Sequence, residues 1–249
     1  MTSLKLAYKK LSASIVLLQW FGNLVLMVLA FAWLQIPDSH TRQFLLSLFA
    51  AAFLVLAFLG LHARTFRKLS SLPPSGPLWQ RLAVLLAVIA FGCFLLQLIG
   101  VSRSYETLFA GYWNSKFSSG QRSFLTFQRL TQWQDHFLDL LQWLLAALLL
   151  PIAFVGGGSG SRRVWSSATR IYRHLLYWLI AVAFGFAGSK ITSLLVGWTP
   201  GHGTVVEILS VFVRLGLAYT LDILLWCFLL ALIAVYFSGA TATEPQPER

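Results

Sequence analysis

Charge is scarce in this chain of 249 residues: Asp, Glu, Lys and Arg together make up 11%, and only eight residues are acidic. Soluble domains carry about 25% charged residues. The shortage, with 57% hydrophobic residues and a mean hydropathy of +0.72, excludes a soluble fold and points to a membrane protein. Cysteine is nearly lacking as well. Cys93 and Cys227 sit inside apolar runs without CxxC or metal-ligand spacing, which sets aside a disulfide framework, a redox pair and a zinc site; both read as small core residues. The five histidines, His40, His62, His136, His174 and His202, are scattered over loops and helix ends, and neither HExxH nor GxSxG occurs. No catalytic residue, metal or cofactor is therefore assigned. Asn23 and Asn114 offer no N-x-[ST] sequon, in keeping with a bacterial-type inner membrane.

What the chain has is length in its apolar runs. About 20 residues cross a hydrocarbon core of roughly 30 Å, and runs of that order predict an all-α bundle of six spans at 12–36, 43–63, 82–102, 137–155, 174–198 and 212–237. The basic start, Lys5, Lys9 and Lys10, precedes an apolar run too long for a signal-peptide core, so the first run reads as an uncleaved helix. Residues 103–136 are too polar to span. There Phe127, Leu130, Trp133 and Phe137 recur at helical period, which predicts an external segment resting partly as an amphipathic helix on the interface. GGGSGS at 156–161 lacks the GxxxxGK[ST] pattern of a phosphate loop and reads as a flexible linker. Residues 238–249 read as a disordered tail.

The net charge of +11 belongs to orientation rather than to nucleic acid. With the N-terminus inside, the cytoplasmic segments collect Lys5, Lys9, Lys10, Arg64, Arg67, Lys68, Arg81, Arg162, Arg163, Arg170, Arg173 and Arg249. The other face collects Arg42, Arg103, Lys116, Arg122 and Arg129. Both termini are thus expected in the cytoplasm. Arg64, Arg67, Lys68, Arg162, Arg163, Arg170 and Arg173 are expected to rest on anionic lipid headgroups. Residues 17–31 and 140–154 match at seven of fifteen positions. Leu-rich helices match easily by chance, and coincidence is the preferred reading over an inverted repeat.

Polar side chains within a span are costly and mark either function or packing. At helical rise, Asn23, Gln97, Lys190 and Asp222 come out about 20 to 25 Å from the cytoplasmic ends of their helices. They form a candidate polar layer, with Lys190 and Asp222 as an expected ion pair. Glu207, Arg214 and Asp222 fall within about 80° of one another on the sixth helix, a secondary stripe. Asp135, His136 and Asp139 are the nearest approach to a metal set and read instead as solvating a helix end. Three functions remain, in order: a non-catalytic membrane subunit or scaffold, whose outer segment docks a protein partner or a second copy; a small transporter or channel built on the polar layer; and, distantly, an enzyme acting on lipid.

Overall fold

In a bilayer every backbone amide must be satisfied within the protein, which a helix achieves segment by segment. The computed structural model describes residues 2–37, 40–70, 77–159, 164–199 and 203–241, and every regular element among them is helical. In chain order these are α1 (Thr2–Lys10), α2 (Ala13–Leu34), α3 (Thr41–Ser70), α4 (Leu78–Ser104), α5 (Glu106–Lys116), α6 (Ser119–Phe124), α7 (Phe127–Ser159), α8 (Val164–Tyr172), α9 (Leu175–Gly197) and α10 (Thr204–Thr241). Six of them, α2, α3, α4, α7, α9 and α10, are long and apolar enough to cross a membrane. The protein is an integral, multi-pass helical bundle.

Its core is gathered at one end. Phe66 and Leu69 of α3, Leu85 of α4, Phe154 and Val155 of α7, Ile171 of α8, Tyr177 of α9 and residues 230–234 of α10 are all 2% exposed or less. This basic end also holds α1, which packs along α10, so that α1 and the last turns of α10 lie on the same side. Lys10 secures it. Its ammonium donates to the carbonyls of Leu69 (3.4 Å) and Ala234 (3.3 Å) and to Ser238 Oγ (2.6 Å), placing a cation at the carbonyl end of α3. Burial lowers its pKa from the ordinary lysine value. Elsewhere the large apolar side chains point outward, with Phe31, Phe49 and Phe212 about two-thirds exposed or more. Such a surface is stable in lipid and aggregating in water.

Three expectations are corrected. Gly156, Gly157 and Gly158 form the last turn of α7 rather than a linker, and all three are buried. A Cβ on Gly156 would lie 2.2 Å from Val84 Cγ1, and one on Gly157 would lie 2.8–2.9 Å from Leu85 and Phe66. Glycine lets α7 approach α3 and α4 this closely; Gly160 and Ser161 fall outside the described residues. The amphipathic stretch at 127–136 is no separate surface helix. It is the first part of α7, continuous with the fourth span, while α5 and α6 form the cap beside it, tied by Asn114 donating to the carbonyl of Leu125 (3.2 Å). Finally, α10 runs on to Thr241, so the expected tail loses its first residues to helix, and 242–249 lie outside the described residues.

Proline inside a helix removes one amide donor and orphans the carbonyl four residues back. Pro151 lies inside α7, so the orphan is Ala147. The buried Tyr177 hydroxyl donates to the Ala147 carbonyl (2.5 Å), and the Tyr172 hydroxyl donates to the neighbouring Leu148 carbonyl. The α8–α9 corner thereby supplies, from Tyr177, the donor that the proline removes, and from Tyr172 a second beside it. Burial raises Tyr172 to a pKa of about 12, so this phenol remains a donor at neutral pH.

Candidate functional site: a side-opening cleft

α4 and α9 both pack on α7, and α10 packs on α9. Between these four helices lies a cleft of about 830 Å³. Small residues create it. Gly92 of α4, Ala146 and Ala147 of α7, and Ala181, Gly185 and Gly188 of α9 line its walls. Trp143 fills the space over Gly185, where a Cβ would stand 2.3 Å from the indole ring. Cys93, Leu96 and Val196 on the rim are exposed, so the cleft opens sideways, where the bilayer would lie. Toward the basic end its lining stops at Ala153 and Leu229, and the fully buried Phe154 and Leu230 follow immediately.

The wall is apolar except for a patch made of Asp222 of α10 with Ser189, Thr192 and Ser193 of α9. The Thr192 hydroxyl lies 3.2 and 3.3 Å from the two carboxylate oxygens of Asp222 and donates to one of them at a time. Gly188 leaves room for this approach, since a Cβ there would sit 3.5 Å from Asp222 Oδ1.

The ion pair expected between Lys190 and Asp222 does not form. Asp222 lies against Gly188 and Thr192, which are one turn apart on α9. Lys190 stands midway between them in sequence, about 200° away from each around the helix, and its side chain is exposed. Among the described residues the ion pair is instead Arg103 with Asp139 at the far end of the bundle. Nearby, partial burial and then Asp135 raise the pKa of Glu106. No group of three His, Cys, Asp or Glu among the described residues is arranged to hold a metal.

The other candidate residues occupy separate places. Asn23 donates to the backbone and side-chain oxygens of Gln19 (2.8 and 2.9 Å), and the fully buried Gln19 donates to Thr65 Oγ1 (2.6 Å). This network joins α2 to α3. From the residue next to Gln19, Trp20 Nε1 donates to Thr220 Oγ1 (3.1 Å), and the Tyr219 hydroxyl donates to the Trp20 carbonyl (2.5 Å), joining α2 to α10. Gln97 is exposed on α4, one residue beyond Leu96 of the cleft rim. Arg214 is buried and donates from Nη1 to the carbonyls of Leu195 (3.4 Å) and Val196 (3.3 Å). Its guanidinium also lies over the Trp198 ring. It caps α9, a favourable place for a cation. Glu207 is exposed in the first turn of α10, so the stripe does not act as one group. Of the basic residues expected to meet headgroups, Arg162 and Arg163 lie outside the described residues.

Thr192, Thr65, Thr220 and Tyr219 are site and seam residues that the sequence did not single out. Hydroxyl side chains are common in helices and bond their own backbone, as Thr65 does to Leu61 and Thr220 to Gly216, so nothing in their spacing distinguishes those that reach another helix. No family model, curated protein or solved structure matches this chain.

Proposed function

We propose that the protein is a non-catalytic membrane subunit whose side-opening cleft holds an apolar guest of lipid size. The carrying observation is the cleft between α4, α7, α9 and α10, about 830 Å³ in volume, within the range of about 300–1,000 Å³ typical of small-molecule sites. A transmembrane helix about 10 Å across and 30 Å long would occupy on the order of 2,400 Å³. The volume therefore favours a lipid-like guest over a partner helix. Separation of Asn23, Gln97 and Lys190 from Asp222 supports a binding role over a polar conduit. A small transporter is the second reading, favoured by one feature: the cleft is closed toward the basic end, as one state of an alternating-access cycle requires.

Cys93 provides the test, because it is exposed on the cleft wall while Cys227 is buried. In reconstituted bilayers, a membrane-permeant maleimide should label Cys93 several-fold more slowly when oleyl alcohol is added. Ala146→Phe, which fills the cleft, should slow labelling without any additive. A labelling rate indifferent to both would remove the cleft as a binding site.

We further infer an inner-membrane orientation with both ends of the chain cytoplasmic, supported by the lysine and arginine asymmetry and by the packing of α1 along α10. Reporters placed after Lys68, after Arg163 and at the C-terminus should read cytoplasmic, and one within 118–121 external. An external signal at Arg163 would overturn this orientation.

A further inference from the structure

Among the described residues Asp222 is the one acidic side chain on the wall of the cleft, and they give it a hydroxyl partner, Thr192, but no cation. Lys190 is turned to the opposite side of α9, and Arg214 is committed to the carbonyls that end α9. A carboxylate in apolar surroundings is costly until a partner supplies hydrogen bonds or opposite charge. Ser189 and Ser193 add two further hydroxyls to the lining of the same cleft. From this patch the lining continues toward the basic end past Trp226 to Leu229, and along α7 from Trp143 to Ala153, without another charge. These stretches are about 10–15 Å long at helical rise. The cleft is therefore polarised: a polar head position at Asp222, then an apolar groove that ends against the packed core.

We propose that the cleft selects single-chain amphiphiles with a protonated amine head, the ammonium bound by Asp222 and the chain lying along Trp143 and Trp226. The proposal rests on the cleft being a binding site, as argued above. An ammonium donates three hydrogen bonds and carries the charge that Asp222 lacks. A charge-assisted contact at bilayer depth accounts for a preference of about ten-fold over a head that cannot make it. An anionic head would meet the carboxylate with like charge and is rejected.

The test uses the full chain reconstituted in phosphatidylcholine bilayers with three spin-labelled probes of equal chain length: stearylamine, stearyl alcohol and stearic acid. Electron paramagnetic resonance reads the motionally restricted fraction of each, at a pH where amine and acid are both ionised. The expected order is amine over alcohol over acid, with about ten-fold between the extremes. Asp222→Asn keeps the shape and a hydrogen-bonding group and should abolish the preference, whereas Lys190→Met should leave it intact. Equal restriction of amine and acid, or a preference that survives Asp222→Asn, overturns the assignment. Ala146→Phe separates the two levels of inference. If it releases all three probes but the heads are not distinguished, the cleft binds chains without reading them; if it releases none, the binding site itself is lost.

Discussion

Replacing Gly157 with leucine is expected to prevent the protein from being recovered folded, and replacing Gly156 or Gly157 with alanine to lower its melting temperature in detergent. Alanine ordinarily improves a helix by up to about 1 kcal/mol over glycine, so the direction depends entirely on space. At Gly157 the added Cβ meets Leu85 and Phe66 at 2.8–2.9 Å, both fully buried and held from the other side by the core. At Gly156 it meets Val84 Cγ1 at 2.2 Å, the end of a short branched side chain with little freedom to turn away. Overpacking of this kind costs about 1–3 kcal/mol, a large part of the stability of most domains. Gly100 is the control, with nothing within 4 Å of its Cβ position; Gly100→Ala should be neutral or stabilising. Val84→Ala should recover much of the loss in Gly156→Ala, and the thermodynamic cycle between them should show coupling. Should Gly156→Ala melt like Gly100→Ala, α7 does not approach α4 as closely as described.

The glycine run also shows what a sequence conceals. GGGSGS has the composition of a loop, and only the helices lying against it reveal that Gly156, Gly157 and Gly158 are the contact surface of a crossing. The six spans, by contrast, were legible because apolar length is a property of each segment alone. The continuity of residues 127–136 with the fourth span was not legible because polar residues such as Arg129 and Gln132 argue against lipid; the helix nevertheless runs through them, long enough at 33 residues to project beyond the hydrocarbon. For the site, depth was readable and azimuth was not. Lys190 and Asp222 matched in distance from the basic end, yet pairing also requires them to face each other, and the face of α9 presented to α10 is set by Gly188 and Thr192. Asp222 stands out in the sequence as a charge within a span. Its surroundings depend on which helices flank the cleft, and no spacing within one helix encodes that.

The second large effect is expected at Tyr177, where removing a single oxygen should cost about 1–3 kcal/mol, the penalty for leaving a buried polar group unsatisfied. Pro151 withholds the amide that would otherwise bond Ala147, and the Tyr177 hydroxyl supplies the missing donor at 2.5 Å. Tyr177 is fully buried among the packed helices of the basic end, so water has little access to take its place. Tyr177→Phe preserves the ring and its packing, isolating the hydroxyl. Pro151→Ala provides the decisive background. It restores an amide at position 151 that can bond the Ala147 carbonyl in the ordinary helical way, so the phenol becomes dispensable there. Tyr177→Phe should therefore destabilise the natural protein markedly and the Pro151→Ala protein much less, with the difference appearing as coupling in a double-mutant cycle. Equal losses in both backgrounds would mean that the hydroxyl contributes through some route other than the orphaned carbonyl. The same pairing bears on the cleft, because Ala147 and Leu150 precede Pro151 on its wall and Ala153 follows. A donor borrowed from α9 thus holds the interrupted stretch of α7 in place, and loss of that donor should loosen the wall against which the proposed guest rests.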